Sequence, residues 1–279
     1  MRQLRFLLAS VRDFGVVGTL DQLPSFVFGS AAARLRRKTP RESTPDAFDR
    51  EHGTDTAGTL TGHELGPRVT RGGHLVTRYQ TTSSAAIRRL LDRLDIDHAQ
   101  FTFVDLGCGK GKPLLIAAGY PFRRLIGVDI SAVCIAVARA NVERCGPKRI
   151  DPARVELLTM DVEDFVFPLE PLVVYLYNAF PVGLLERVVA NLEASLRRAP
   201  REIVVVYVNP QAMVAFARSR LFVRVPTAAD RMPALDVGVP RHERAVVFAA
   251  RPSAAGRPPH RCATSRRCLR DSPLRSSER

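Results

Sequence analysis

Three alternate glycines follow a strand that carries an aspartate near its end, and this spacing predicts a turn that binds a ligand. Residues 101–106 have the pattern of a short buried strand, which includes Asp105. Gly107, Gly109 and Gly111 follow at once. Because glycine lacks a Cβ atom, such a turn can adopt dihedral angles that other residues avoid, and a ligand can lie against its main chain. We therefore predict a binding site where this strand ends.

The acid beside this turn indicates the charge of the ligand. A dinucleotide-binding turn has the spacing G-x-G-x-x-G, whereas the spacing here is G-x-G-x-G, with Asp105 two residues before the first glycine. A carboxylate repels a pyrophosphate group but attracts ammonium and sulfonium charges. The turn therefore favours S-adenosylmethionine over NAD, and an NAD-binding oxidoreductase is the less favoured alternative.

A second acid stands at the tip of the next predicted strand. Residues 125–129 have a strand pattern that ends in Asp129. Parallel strands joined by a helix bring their carboxyl ends to one edge of the sheet, where doubly wound α/β folds bind ligands. A carboxylate at this position can accept hydrogen bonds from both hydroxyls of a ribose. We expect Asp105 and Asp129 to lie at one cofactor site.

The segment from Asp105 to Asp129 resembles motif I and the following acidic motif of class I S-adenosylmethionine-dependent methyltransferases. The resemblance implies methyl transfer from S-adenosylmethionine to an acceptor with an amine, a hydroxyl, or a protein or nucleic-acid group. At Asp161, which follows the third strand, it implies an acceptor for the adenine amino group; a solvated acidic turn is the alternative. The cofactor-binding residues predicted in these segments are Asp105, Gly107, Cys108, Gly109, Gly111, Asp129, Ile130, Asp161 and Val162.

The predicted strand 172–177 runs into Asn178, Ala179 and Phe180. This segment resembles motif IV of the same superfamily, which faces the transferred methyl group, although alanine replaces the usual central proline. The resemblance implies that Asn178 contacts the cofactor and accepts a hydrogen bond from an amine, while Phe180 stacks on a flat acceptor. As an alternative, Asn178 caps the helix predicted over 182–198.

An N-terminal extension is predicted over residues 1–84, helical at first and then an irregular loop or lid. Its segment from Phe48 to Thr56, F-D-x-x-x-G-T-D-T, resembles a segment that precedes the core in an uncharacterised bacterial subfamily of these methyltransferases. So does Tyr79-Gln-Thr-Thr82, where threonine replaces a proline of that subfamily. The resemblance implies that Tyr79 and Thr82 offer hydroxyls to the carboxylate or ammonium of the cofactor. Alternatively, Thr82 or one of the next two serines caps the following helix.

Strand and helix patterns alternate through residues 85–250, which predicts a doubly wound α/β core with a mostly parallel, seven-stranded, Rossmann-like sheet. The last two strands are expected to form an antiparallel pair. Residues 251–279 are rich in Pro, Ser, Arg and Gly and are predicted to be a disordered basic tail. The predicted strands are 101–106, 125–129, 154–159, 172–177, 203–208, 221–225 and 244–249.

The net charge of +14 is concentrated at the two ends of the chain. Residues 251–279 contain eight arginines and two acids. Basic tails of this kind suit a nucleic-acid or other acidic partner, so a nucleic-acid-binding protein that keeps the fold without turnover is a further alternative. Five cysteines, an odd number, favour reduced thiols in the cytoplasm. No metal site is predicted, and no uncharged apolar stretch reaches the length of a membrane span.

Overall fold

The structure, a computed structural model, describes residues 45–61, 65, 78–178, 180–226 and 240–250. The helices predicted within residues 1–38, much of the predicted lid and the predicted disordered tail lie outside the described residues. In chain order the helices and strands are α1 (Ala47–His52), β1 (Leu60–Thr61), β2 (Arg78–Tyr79), α2 (Ser84–Asp92), β3 (Thr102–Leu106), α3 (Lys112–Ala117), β4 (Arg124–Asp129), α4 (Ala132–Cys145), β5 (Val155–Thr159), β6 (Leu172–Tyr177), α5 (Val182–Arg198), β7 (Ile203–Val208), α6 (Val214–Ala217), β8 (Phe222–Val225) and β9 (Ala245–Ala250).

Seven strands of the described part of the chain form one sheet in the order β5-β4-β3-β6-β7-β9-β8. The five strands from β5 to β7 are parallel to one another, and β9 lies antiparallel between β7 and β8. The order reverses at β3, which has β4 on one side and β6 on the other. The predicted doubly wound fold with a closing antiparallel pair is therefore confirmed. Separately, β1 and β2 of the extension form a short antiparallel ladder.

Both faces of the sheet are covered, because alternate residues of its central strands point to opposite sides. Val174 and Val205 belong to a core cluster that also contains Leu185 of α5. Tyr175 belongs to the cluster on the other face, with Ile87 of α2. Strands buried on both faces read as continuous apolar runs, as the predicted strand 172–177 does.

Local sequence signals set the ends of several helices. Ser131 caps α4, since its hydroxyl accepts a hydrogen bond from the main-chain N–H of Cys134 at 3.3 Å. Of the three candidate caps before α2, Ser83 fills the role, with its hydroxyl 3.2 Å from the N–H of Ala86. Among the described residues, no helix is both long enough and apolar enough to cross a membrane.

Candidate functional site

The glycine turn between β3 and α3 has the backbone conformation for which its glycines were predicted. The φ angles are 77° at Gly107, 52° at Gly109 and 84° at Gly111, all in the left-handed region. The N–H groups of Gly107 and Cys108 both donate to the carbonyl of Val128, at 2.8 and 3.0 Å. The turn is therefore held against the end of β4, as the cofactor prediction requires.

Tyr79 of the extension covers this turn. A Cβ atom added to Gly109 would lie 2.2 Å from Cε2 of the Tyr79 ring, so the ring packs directly on the main chain of the turn. The Tyr79 hydroxyl donates to the carbonyl of Thr56 at 2.6 Å. The structure thus brings Tyr79 to the predicted site, with its hydroxyl bonded to another part of the extension.

Asp129 joins the turn to the start of α4. Its Oδ2 accepts a hydrogen bond from the N–H of Gly109, and its Oδ1 accepts one from the N–H of Ser131, both at 2.8 Å. Burial raises the pKa of Asp129, and these two main-chain hydrogen bonds oppose the rise. A carboxylate has about four lone-pair positions, so Asp129 can still accept hydrogen bonds from two ribose hydroxyls.

Asp105 is 2% exposed, and its Oδ2 has no hydrogen-bond partner among the described residues. Burial raises the pKa of Asp105 well above its ordinary value, and the nearby Asp129 raises it further. A buried acceptor without a partner is costly, and the cost falls when a ligand brings a hydrogen-bond donor or a positive charge. The cofactor's ammonium group has both properties, so this position fits S-adenosylmethionine.

Replacing Asp105 with asparagine is expected to stabilise the ligand-free protein at alkaline pH. Because the folded-state pKa is raised, the contribution of Asp105 to stability is fully present below its unfolded pKa of about 3.9 and is lost as the pH rises through the folded pKa. At pH 8 the variant should be more stable by roughly 1 kcal/mol or more. Denaturant unfolding from pH 4.5 to 8 measures the difference. A constant difference across this range would contradict the assignment.

Other predicted cofactor residues lie at the tips of β4 and β5 or inside the turn. Asp161 Oδ1 accepts from the N–H of Glu163 at 3.0 Å and so caps a short 3₁₀ turn. Val162 is buried in the core, and Ile130 is half-buried. Cys108 is buried, and its Sγ lies 2.9 Å from the position that a Cβ on Gly127 would occupy, so its side chain packs against β4. Their contacts with the cofactor remain predictions.

The predicted acceptor side lies at the end of β6. Asn178 has a φ of 31°, and its N–H donates to the carbonyl of Val208 at 3.0 Å. It does not cap α5, because Pro181 is the N-cap residue of that helix. Phe180 is half-buried and packs against the core. Thr82 is buried, and its hydroxyl lies 3.2 Å from that of Tyr175, which is paired with Asp105 in the sheet register.

Lys110 and Lys112 stand at the start of a predicted helix, where we expect lysine side chains to point to solvent, and this expectation is wrong. Lys110 is 4% exposed and Lys112 is 1% exposed. Lys110 Nζ donates to Asp55 Oδ1 at 2.7 Å and to the carbonyl of Ala57 at 3.1 Å. Lys112 Nζ forms an ion pair with Asp46. The extension lies over the start of α3, which is why these side chains are buried.

Sequence reasoning also missed Asn141 of α4, which is fully buried. Its Nδ2 donates to the carbonyls of Asp55 and Lys110, at 2.9 and 3.0 Å, and its Oδ1 accepts from the N–H of Asp55 at 2.8 Å. The available signal was the F-D-x-x-x-G-T-D-T segment, whose second aspartate is Asp55. Asn141 therefore connects the extension to the glycine turn.

In the described part of the chain no cluster of His, Cys, Asp and Glu could hold a metal ion.

Comparison with known proteins finds a domain family that part of this chain matches. Residues 103–199 match the family model described as a methyltransferase domain. No curated protein matches the chain significantly. Similar solved structures include an RNA methyltransferase from Salinibacter ruber in complex with S-adenosyl-L-homocysteine, with 18% identity, 61% of this chain and 92% of that chain covered, and a TM-score of 0.40. Another is magnesium protoporphyrin IX methyltransferase from Synechocystis PCC 6803 with bound S-adenosylmethionine, with 15% identity, 61% and 79% covered, and a TM-score of 0.43.

The matched residues extend from β3 to the residue after α5 and contain the glycine turn, both buried acids and Asn178. The strand order around them is that of a doubly wound sheet with a closing antiparallel pair. The part of the chain that holds the candidate site therefore matches a methyltransferase domain.

Proposed function

We propose that the chain transfers the methyl group of S-adenosylmethionine to an acceptor that binds at the end of β6. One observation carries the proposal: Asp105 and Asp129 meet at a glycine turn that is held at the tips of β3 and β4. The unpartnered Oδ2 of Asp105 suits the cofactor's ammonium group. Ligands of doubly wound folds bind at such a point, where the strand order reverses.

The described residues suggest how the cofactor is held. We assign the ammonium to Asp105, the ribose hydroxyls to Asp129 and the adenine amino group to Asp161. The main chain of the turn, with Cys108 packed beneath it, lies along the cofactor, and Ile130 and Val162 flank the two distal acids. Tyr79 and Thr82 belong to the methionine end, where the Thr82 hydroxyl lies within hydrogen-bonding distance of Tyr175.

The chemistry needs little from the protein beyond alignment. When bound, S-adenosylmethionine supplies an already activated methyl group, which leaves the sulfonium by in-line displacement. The protein therefore needs no covalent nucleophile, and its residues orient the acceptor and exclude water. We assign to Asn178 a hydrogen bond from an amine acceptor through its side-chain oxygen, and to Phe180 stacking on a flat acceptor.

Calorimetric titration with S-adenosylmethionine, S-adenosylhomocysteine and NAD tests the proposed function. We expect the two sulfur ligands to bind and NAD not to bind, because the turn presents a buried carboxylate where a pyrophosphate would lie. Binding of NAD alone would overturn the proposal. If the sulfur ligands bind, transfer of a radiolabelled methyl group to a panel of amines, phenols, RNA and protein identifies the acceptor class.

Replacing Asn178 with alanine is expected to lower the methyl-transfer rate by at least about 10-fold, and to affect affinity for S-adenosylmethionine less. Asn209 at the tip of β7 offers a matched control, since it also has a positive φ, 49° against 31°. Both alanine variants incur similar backbone strain, but only Asn178 is assigned to the acceptor. The same radiolabel assay compares kcat, and equal losses in the two variants would contradict the assignment.

We further propose a nucleic-acid or other acidic partner for the basic ends of the chain. The eight arginines of residues 251–279 support this. Truncation after Ala250 should weaken RNA binding and flatten its salt dependence, since each phosphate contact adds to that dependence. Unchanged RNA binding by the truncated protein would contradict this use of the tail.

The cysteine chemistry supports a cytoplasmic location, which we propose for this protein. Cys108, Cys134 and Cys145 are free thiols, and the first two are buried. Free thiols persist in reducing compartments, while oxidising compartments favour disulfides.

A further inference from the structure

An ion pair between a buried lysine and a half-exposed aspartate joins the N-terminal extension to the glycine turn. The Lys110 side chain is 5% exposed, while that of its partner Asp55 is 45% exposed. Lys110 stands between Gly109 and Gly111, which both have a positive φ. Its ammonium is held by Asp55 and by the carbonyl of Ala57. A side chain of the turn is thus bound to two residues of the extension.

Asn141 holds the same two partners through the main chain. It donates to the carbonyl of Lys110 and bonds both the N–H and the carbonyl of Asp55. An asparagine side chain offers two donor hydrogens and one acceptor oxygen. Asn141 uses both donors and the acceptor on Asp55 and Lys110, so this fully buried residue fixes the position of one relative to the other.

The part of the extension that meets the turn is itself well ordered by Asp49. Asp49 Oδ1 accepts from the hydroxyls of Thr54 and Thr56 and from the N–H of Thr56, at 2.7–2.8 Å. Its Oδ2 accepts from the N–H of Ala57 at 2.7 Å. Because these bonds are local to residues 49–57, the loop that carries Asp55 offers the turn a formed surface.

We propose that Asp55, Lys110 and Asn141 are positioning residues that hold the glycine turn in its cofactor-binding conformation, which makes residues 49–57 a part of the cofactor site. The proposal rests on the proposed function for the identity of the ligand. Glycine-rich backbone has many accessible conformations and loses much entropy on ordering. Contacts that restrict the turn before the ligand arrives lower the cost of binding. None of the three side chains needs to touch the cofactor to have this effect.

Two variants that break the same ion pair test the proposal. Asp55→Asn leaves the buried ammonium of Lys110 without its charge partner, whereas Lys110→Met removes that charge and leaves a half-exposed carboxylate. We therefore expect Asp55→Asn to lower the Tm more than Lys110→Met. Both should weaken S-adenosylhomocysteine binding by about 10-fold, since both release the turn. A loss of affinity that follows the loss of stability would instead indicate a purely structural role and overturn the proposal.

Asp46→Asn is the matched control. Asp46 also pairs with a buried lysine, Lys112, but that lysine lies in α3, after the turn. We expect this variant to lower the Tm and to change the affinity for S-adenosylhomocysteine by less than about 3-fold. An affinity loss equal to that of Asp55→Asn would show that any loosening of the extension has the same effect, and would overturn the proposal.

Hydrogen exchange on the ligand-free protein separates this inference from the proposed function. Amides of residues 106–112 should exchange faster in Asp55→Asn and Lys110→Met than in the wild type and in Asp46→Asn. This readout needs no ligand, so it decides the positioning role even if the wild type binds neither sulfur ligand, a result that would defeat the proposed function alone. Equal exchange in all four proteins would overturn the positioning role.

Discussion

Replacing Asp129 with alanine is expected to weaken binding of S-adenosylmethionine and S-adenosylhomocysteine by at least about 100-fold, because two hydrogen bonds to a charged acceptor are lost and each is worth about 1.5–3 kcal/mol. The carboxylate is assigned to both ribose hydroxyls, and it also orders the turn through the N–H of Gly109. The substitution therefore removes ligand contacts and one support of the turn together. Calorimetric titration of the wild type and the variant measures the effect.

Asp151→Ala is a suitable control for this substitution. Asp151 Oδ1 also accepts a hydrogen bond from the main chain two residues on, at the N–H of Ala153. Asp151, however, precedes β5, whereas Asp129 ends the parallel strand β4, so the two acids lie at opposite edges of the sheet. Its replacement should leave the affinity unchanged. Asp129→Asn retains one acceptor oxygen and the side-chain volume, so an intermediate affinity is expected. If Asp129→Ala binds as tightly as the wild type, Asp129 does not hold the ribose.

The strands and the longest helix could be predicted closely because their signals are local. The predicted ranges 172–177, 182–198 and 203–208 are the observed bounds of β6, α5 and β7. Each strand is an apolar run that the two covered faces of the sheet require, and α5 has apolar positions along one side. Where the apolar pattern and the burial of a segment both indicate the same secondary structure, contacts with distant residues change the assignment little.

The sequence also predicts a helix that opens at Asn209 and runs to about Ser219, and this segment shows the opposite case. In the structure α6 covers only Val214–Ala217. The N–H groups of Gln211 and Ala212 donate to the hydroxyl of Tyr207 of β7, at 3.2 and 3.1 Å. These contacts hold the chain in a turn before the helix starts. The helix pattern of this segment does not show that the hydroxyl of Tyr207 will bond its first residues. Tertiary contacts therefore override the local preference for a helix.

The acids and glycines of the candidate site were predictable for the same reason as the strands, since they lie at fixed positions after β3 and β4. Its supporting residues were not. Asn141 lies 86 residues from Asp55 along the chain. It is one of several polar residues of α4, and nothing in the local sequence distinguishes it from the others. The local sequence predicts an exposed side chain for Lys110, and only the contacts with the extension bury it. Burial created by a distant segment leaves no mark on the local sequence.

The three groups of contacts around the turn act in different ways. Asp129 supports it from β4, Tyr79 covers it, and the ion pair of Lys110 with Asp55 anchors it to the extension. Asp105 gains no hydrogen bond at Oδ2 from the described residues. The described residues thus satisfy the main chain of the turn and leave one oxygen of the buried Asp105 carboxyl without a partner. Such an oxygen lowers the stability of the ligand-free protein, and the proposed contact with the cofactor's ammonium group removes this cost on binding.

Gly109→Ala is expected to abolish measurable cofactor binding and to destabilise the fold by roughly 2–4 kcal/mol, from left-handed backbone strain and overpacking. The backbone φ of 52° disfavours any L-residue with a Cβ atom. The new methyl group would also stand 2.2 Å from the Tyr79 ring, so the ring or the turn must move. Either movement disturbs the surface on which the cofactor lies. Thermal unfolding and calorimetric titration measure the two effects.

Gly146→Ala separates backbone strain from collision with the ring. Gly146 has a φ of 70° and a ψ of 165°, a backbone conformation that is also essentially restricted to glycine, but no heavy atom lies within 4 Å of an added Cβ there. It should therefore show the strain alone, with unchanged cofactor affinity. In the double variant Gly109→Ala/Tyr79→Ala the collision is removed, so the two substitutions should cost less stability together than the sum of their separate effects. If the two losses of stability are additive, the ring does not press on the turn. Collision with the Tyr79 ring would then not explain the requirement for glycine at position 109.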